Sequence, residues 1–281
     1  MGPLVATHWL AERLGEPGLR VVDVRWYLDP VRKGRDAFRA GHIPGAVFLD
    51  AEADLSAPGG RRGGPLGRHP WPGAEQVARV MGAAGIGSGT RVVAYDDQAG
   101  GVAARLWYVL RAYGHDAVAV LDGGLAKWLA EGRPLSTEEP AVAPAVFEAR
   151  QRPGFVLSKA EMLARDSVSL VLDARVPERY RGEVEPIDPR AGHIPGAVNA
   201  PYSGNLTADA VPVFRSSAEL RARYAALGAD RLEPIVYCGS GITACHDLLA
   251  LELAGLRGRL YGGSWSEWSS DPALPVDTGP K

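Results

Sequence analysis

The sequence is poor in cysteine, contains no long hydrophobic run and carries almost no net charge. Two cysteines in 281 residues are too few for a disulfide framework, and neither belongs to a cluster with zinc-site spacing. A formal net charge of -2 gives no positive excess for nucleic acid or an anionic membrane surface. No stretch is long enough to span a membrane, and the N-terminus lacks the pattern of a signal peptide. We therefore expect a cytoplasmic protein that binds neither nucleic acid nor membranes.

The sequence does contain an internal repeat. The eight residues AGHIPGAV occur at Ala40–Val47 and again, letter for letter, at Ala191–Val198. The flanking segments match in the same order, as Leu19–Arg25 with Leu170–Arg175, Arg91–Tyr95 with Pro234–Tyr237, and Gly123–Trp128 with Gly263–Trp268. The repeat therefore covers nearly the whole chain.

A repeat of this length predicts two domains of one fold, and 281 residues are enough for two hydrophobic cores. We place an N-terminal domain at 1–140, a linker at 141–155 and a C-terminal domain at 156–281. The boundaries follow the low periodicity and the prolines of the segment between the copies.

Within each copy, short apolar runs alternate with helical stretches. The runs are continuous rather than alternating, which is typical of buried parallel strands. They lie at Val21–Asp23, Val92–Tyr95 and Val118–Leu121, and at Leu170–Asp173, Ile235–Tyr237 and Arg259–Tyr261. Capping boxes at Ser158–Glu161 and Ser216–Glu219 predict two helix starts. The fold class is α/β, with a mainly parallel sheet and helices on both faces in each domain.

The duplication separates residues that serve the fold from candidates for chemistry. A residue type found in both copies is expected to be structural, and one found in a single copy is a candidate for function. By this test the structural residues are His42 and His193, Asp23 and Asp173, and Arg25 and Arg175.

The main difference between the copies is a cysteine at the end of a predicted strand. Cys238 follows Ile235–Tyr237, whereas the first copy has Asp96 at the equivalent position. Ligands bind at the carboxyl ends of parallel strands, and a glycine-bearing loop before a helix can aim backbone N–H groups at an anion. We expect this loop to stabilise the Cys238 thiolate and then a persulfide. Cys245 is expected to be a small buried side chain in the following helix.

These features resemble the rhodaneses. The resemblance is carried by GHIPGA in both copies, by Cys238 opening a short loop, and by the closing GSWSEW at Gly263–Trp268. It implies two tandem rhodanese-like domains, of which the N-terminal one, with Asp96, is non-catalytic. It also implies a sulfurtransferase that moves sulfur from a small anionic donor to a thiol or cyanide acceptor. We expect thioredoxin-like proteins among the thiol acceptors, no cofactor, and a monomer or weak dimer.

A cysteine phosphatase is the alternative enzyme on this fold. Phosphatases need Cys-x5-Arg so that the arginine holds the phosphoryl group. Ala244 stands at that position here, which argues against phosphoryl transfer.

The loop from Cys238 to Thr243 resembles that of the 3-mercaptopyruvate sulfurtransferases, because no basic residue follows the cysteine. In these enzymes pyruvate leaves as an enolate, so its departure benefits from a proton relay, whereas sulfite leaves thiosulfate as a stable anion. The resemblance implies a relay of Ser240, His69 and Glu52. His69 has no counterpart in the second copy, which favours function.

The same resemblance implies two arginines that bind the donor carboxylate. Arg179 matches one, and the first copy has Asp29 there. The second arginine normally follows a Glu-Pro pair, but Ile187 follows Glu185-Pro186 here; either Arg190 replaces it or the second clamp is absent. The loop residues Gly239, Gly241, Ile242 and Thr243 complete the predicted substrate site. Thiosulfate remains an alternative donor, and a persulfide carrier without fast turnover is an alternative of another class.

Overall fold

A computed structural model describes residues 1–280 of the chain. The residues form two compact units, each of which combines one copy of the repeat with a segment of the other. The first unit holds Met1–Leu55, Pro72–Arg152 and Ala208–Phe214. The second unit holds Ser56–Trp71, Pro153–Thr207 and the chain from Arg215 onward.

The first unit is built on a five-stranded sheet in the order β1-β5-β4-β2-β3. Its strands are β1 (Leu4–Val5), β2 (Leu19–Asp23), β3 (Val47–Phe48), β4 (Arg91–Tyr95) and β5 (Val118–Leu121). Its helices are α1 (Thr7–Ala11), α2 (Gly34–Ala40), α3 (Ala74–Ala83), α4 (Ala103–Ala112) and α5 (Gly124–Ala130). Its core includes Leu10, Ile43 and Trp128.

The second unit repeats this architecture with the strand order β6-β10-β9-β7-β8. Its strands are β6 (Val156–Leu157), β7 (Val171–Asp173), β8 (Val198–Asn199), β9 (Ile235–Tyr237) and β10 (Arg259–Tyr261). Its helices are α6 (Lys159–Leu163), α7 (Pro177–Tyr180), α8 (Ser217–Ala226), α9 (Ala244–Leu253) and α10 (Ser264–Trp268), with a 3-10 turn at Tyr202–Asn205. Its core includes Ile194, Trp265 and Trp268.

Each strand pair in the two sheets is parallel, which confirms the predicted fold class. In both sheets the first three strands in the chain run from one edge of the sheet to the other, and the last two fill the positions between them in the opposite direction. Because crossover connections are right-handed, helices from the two directions cover opposite faces of the sheet. The predicted capping boxes are present: Ser158 and Ser216 each accept the backbone N–H of a glutamate three residues on.

The residues shared by both copies have the same structural roles in each. The guanidinium groups of Arg25 and Arg175 donate to the carboxylate two residues earlier in the chain and to a backbone carbonyl, that of Gly41 or Gly192. The His42 ring stacks on Phe38 with ring centroids 3.9 Å apart, and the His193 ring stacks on Tyr180 at 3.8 Å. These side chains hold loops against helices, as expected of residues that serve the fold.

Two kinds of feature are absent from residues 1–280. No helix in this part of the chain is long and apolar enough to cross a membrane. It also contains no group of three or more His, Cys, Asp or Glu side chains arranged to hold a metal ion.

Candidate active site

Cys238 follows β9 directly and opens the loop that leads into α9. Its side chain is buried, and the backbone N–H of Gly241 donates to its Sγ over 3.2 Å. Gly241 has a φ of 78°, which favours glycine, so the turn that brings this amide to the sulfur depends on that residue. Gly239 and Ile242 are buried, and Thr243 takes the position just before α9.

The start of α10 holds this loop in place. The Ser264 hydroxyl accepts the Cys238 backbone N–H over 3.2 Å and donates to the Tyr261 carbonyl over 3.0 Å. The N–H of Trp265 donates to the Cys238 carbonyl, and the N–H of Ser266 donates to the Gly239 carbonyl. Backbone and side-chain hydrogen bonds therefore fix the cysteine at the carboxyl end of β9, the central strand of the sheet.

In the first unit the equivalent loop is filled by its own carboxylate. Asp96 follows β4 as Cys238 follows β9, and its carboxylate accepts four backbone N–H groups over 2.7–2.9 Å, those of Gln98, Gly100, Val102 and Ala103. Burial raises the pKa of Asp96, and these four hydrogen bonds oppose that rise. The first copy thus shows that a loop of this kind gathers amide donors around a negative group.

Ser240 and His69 lie in contact. Nδ1 of His69 and Oγ of Ser240 are 2.8 Å apart, and both side chains are buried. The contact arises because Ser56–Trp71, although it comes from the first copy, belongs to the second compact unit. The two residues are close enough to exchange a proton along one hydrogen bond.

Glu52 lies in the first unit, four residues before Ser56, where the segment of the second unit that carries His69 begins. Its side chain is exposed, and its backbone N–H donates to Oδ1 of Asp50 over 2.8 Å. Its part in a relay with His69 stays a prediction.

Arg179 lies at the loop within a network of carboxylates. Its Nη2 donates to Oε1 of Glu185 over 2.7 Å and to Oδ2 of Asp188 over 3.1 Å. A Cβ built on Gly239 would lie 3.4 Å from Nη1 of Arg179, so this nitrogen faces the loop after the cysteine. The arginine is therefore oriented by acidic partners on one side and directed at the loop on the other.

Arg68 lies beside Arg179. Its Nη1 pairs with Oδ1 of Asp188, and a Cβ on Gly239 would lie 2.7 Å from its Nη2. Its backbone N–H donates to Oγ of Ser266 over 3.1 Å. The guanidinium groups of Arg68 and Arg179 therefore both pair with Asp188 and both face Gly239.

The structure does not bring the Arg190 side chain to this loop. Its guanidinium donates to four backbone carbonyls over 2.6–3.0 Å, those of Trp268, Ser269, Asp271 and Leu274. These bonds use Nε and both terminal nitrogens. The side chain fastens the segment after α10, and this geometry does not support the expectation that Arg190 replaces the second family arginine.

Three residues of the site were not identified from the sequence. Ser264 could have been, because the first copy has Gly124 at the matching position and the duplication test applies to it. Arg68 and Asp188 gave no such signal. The resemblance implied that His69 of the first copy meets this loop, but it did not indicate that Arg68 and Asp188 pair there.

Comparisons with known proteins agree with this architecture. The family of rhodanese-like domains matches residues 6–131 and 158–271. A Pseudomonas aeruginosa protein named "Probable 3-mercaptopyruvate sulfurtransferase" is 45% identical over 283 residues, covering 98% of each chain. The bovine thiosulfate sulfurtransferase is 36% identical over 280 residues, covering 94% of this chain and 91% of its own.

A solved structure shows the same fold. The 3-mercaptopyruvate sulfurtransferase from Leishmania major superposes with a TM-score of 0.84 at 29% identity, covering 95% of this chain and 74% of that chain. Both family matches and the full-length relatives confirm the resemblance found in the repeat. The chain belongs to the rhodanese family and is a tandem-domain sulfurtransferase.

Proposed function

We propose that this protein transfers a sulfur atom from 3-mercaptopyruvate to a thiol or cyanide through a persulfide on Cys238. The observation that carries the proposal is the hydrogen-bonded pair of Ser240 and His69 beside the cysteine loop, 2.8 Å apart. An enolate-releasing donor needs a proton source at this point, and thiosulfate does not.

In the first half-reaction the Cys238 thiolate attacks the donor sulfur. A sulfur–sulfur bond forms, the carbon–sulfur bond of the donor breaks, and its electron pair leaves with pyruvate as the enolate. The enolate takes one proton and becomes pyruvate. We propose that Ser240 supplies that proton and that His69 replaces it, with Glu52 as the acidic partner of His69.

The loop supports the charged forms of the sulfur. The N–H of Gly241 already points at Sγ, and the Asp96 loop shows how many amides such a turn can direct at an anion. An N–H cradle of this kind stabilises the thiolate before the reaction and the persulfide after it. Gly239, Ile242 and Thr243 are proposed to complete the cradle.

Arg179 is proposed to bind the donor carboxylate. Glu185 and Asp188 fix its guanidinium, and Nη1 faces the loop. A planar guanidinium matches a carboxylate better than an ammonium group would, so the choice of arginine favours a carboxylate donor.

In the second half-reaction an acceptor thiolate attacks the outer sulfur, and Cys238 leaves as the thiolate. The acceptor is proposed to be a small or thioredoxin-like thiol, in a reducing cytoplasm. Both cysteines are free thiols, as this chemistry requires of Cys238.

Steady-state kinetics with the two donors and a common acceptor test the proposal. We expect kcat/KM for 3-mercaptopyruvate to exceed that for thiosulfate. A higher value for thiosulfate would assign the protein to the alternative donor. Loading of Cys238 by either donor, without turnover on cyanide or a small thiol, would show a persulfide carrier instead.

A further inference from the structure

We propose that Arg68 is a substrate-binding residue and forms with Arg179 the pair of guanidinium groups that receives the anionic group of the donor. The proposal rests on the proposed function of the Cys238 loop. It assigns the second anion-binding arginine to a segment of the first copy, because this chain has Ile187 at the position in the second copy where the family pattern has that arginine.

One carboxylate, that of Asp188, holds both arginines. Asp188 pairs through Oδ1 with Nη1 of Arg68 and through Oδ2 with Nη2 of Arg179. Two guanidinium groups on the two oxygens of one carboxylate must lie side by side. A second carboxylate or a sulfonate can bridge such a pair from its free side.

The side of the two guanidinium groups away from Asp188 points at the loop after Cys238. A Cβ on Gly239 would lie 2.7 Å from Nη2 of Arg68 and 3.4 Å from Nη1 of Arg179. Gly239 directly follows Cys238, so both nitrogens border the loop that carries the reacting sulfur. This spacing also excludes a side chain at position 239 unless Arg68 moves.

The Arg68 guanidinium also has an unmet hydrogen bond. The Arg68 side chain is 9% exposed, and its Nε is buried without a hydrogen-bond partner among residues 1–280. A buried guanidinium N–H without an acceptor is costly, and an anionic ligand would satisfy it. Arg190, by contrast, uses its nitrogens on backbone carbonyls.

Local charge indicates what the pair would bind. The guanidiniums of Arg68, Arg175 and Arg179 are joined by ion pairs to the carboxylates of Asp173, Glu185 and Asp188, so the network is balanced before a donor arrives. A donor carrying one carboxylate adds a single negative charge, and thiosulfate adds two. The balance favours the monocarboxylate.

Rapid-mixing measurements with Arg68→Ala test the assignment, with Arg62→Ala as the matched control because Arg62 is exposed in the same segment. Loading of Cys238 by 3-mercaptopyruvate should lose roughly 10- to 100-fold in kcat/KM, as expected for charge-assisted hydrogen bonds. Competitive inhibition by pyruvate should weaken as well. Discharge of the preformed persulfide to dithiothreitol, a neutral thiol, should be unchanged. Arg62→Ala should match the wild type in all three.

Two results would overturn the assignment: wild-type loading in Arg68→Ala, or an equal loss in loading and in discharge, which would make the residue structural. If Arg68→Ala does not fold, Arg68→Gln keeps much of the side chain without its charge, and the same outcomes apply. A wild-type protein that neither donor can load would instead refute the proposed function, and the two failures are thereby distinguished.

Discussion

The two loops that follow β4 and β9 occupy equivalent places in equivalent sheets and differ in what fills them. In the first, the Asp96 carboxylate accepts four backbone N–H groups and so occupies its own anion site. In the second, Cys238 brings a sulfur to the same place, and the backbone N–H of Gly241 donates to it. The turn after β4 therefore carries its own anion, and the turn after β9 carries the thiol for which we propose the chemistry.

The residues that surround the two loops also differ. Arg179 stands in the second copy where Asp29 stands in the first, and Ser264 stands where Gly124 stands. In the first unit Asp97 accepts the Tyr27 hydroxyl over 2.6 Å, and burial, with this bond, raises the pKa of Tyr27 to about 12. Arg32 pairs with Asp97 beside the first loop, whereas nitrogens of Arg68 and Arg179 face Gly239 in the second.

The largest expected effect comes from removing the sulfur that distinguishes the second loop. Cys238→Ser should abolish turnover with either donor, because no other residue of the loop can form a persulfide. Cys245→Ser is the matched control. Its Sγ lies in α9 and donates to the Gly241 carbonyl over 3.3 Å, so most of the activity should remain. Steady-state turnover of the two variants decides between these residues; equal losses would contradict the assignment.

The next effect separates the donors. His69→Ala should slow turnover of 3-mercaptopyruvate by roughly 10²- to 10⁴-fold, the usual range for general acid–base assistance, and slow thiosulfate turnover far less. His8→Ala, an exposed histidine, is the control. Equal losses on both donors in the His69 variant would show that His69 is structural and would favour thiosulfate.

A smaller effect is expected at Arg179, the residue proposed to bind the donor carboxylate. Arg179→Ala should weaken both donors by roughly 10- to 100-fold in kcat/KM, because each is an anion. Arg179→Lys keeps the charge but loses the planar fork, so thiosulfate should tolerate it better than the carboxylate donor. The neighbouring Arg181→Ala should behave as wild type. A lysine variant that handles 3-mercaptopyruvate as well as arginine does would contradict carboxylate binding at this position.

The smallest effect on sulfur transfer is expected at Asp247, which has Leu106 as its counterpart in α4 of the first copy. Burial raises the pKa of Asp247 from 3.8 to about 7, although Asn205 donates to its Oδ1 over 2.6 Å. Because the folded pKa is the higher one, the stabilisation is complete below pH 3.8 and is lost as the pH rises towards and through about 7.

Asp247→Asn should therefore leave turnover unchanged and remove this loss of stability. Denaturant unfolding at pH 5 and pH 8 measures it, and the wild type should lose more free energy of unfolding between these values than the variant. Asp209→Asn, at an exposed position, is the control. The same pH dependence in wild type and Asp247→Asn would show that this carboxyl does not titrate in that range.

Some features of the two copies could be predicted from the sequence, and others could not. Strand runs such as Ile235–Tyr237 and the capping box at Ser158 were predicted because hydrophobic runs and helix caps are local signals. The proximity of His69 and Ser240 was expected only from the resemblance, since 171 positions separate them. Arg190 was chosen for its nearness in sequence to Ile187, whereas the arginine beside Arg179 is Arg68, brought there by a segment of the other copy.

The central claim is that the second loop alone carries the sulfur, and intact mass after treatment with donor tests it most directly. The wild-type chain should gain the mass of one sulfur atom, peptide mapping should place it on the peptide that contains Cys238, and a thiol acceptor should remove it. Cys238→Ser should gain nothing, and Cys245→Ser should gain the same mass as the wild type. A sulfur adduct that persists after Cys238 is replaced would contradict the claim.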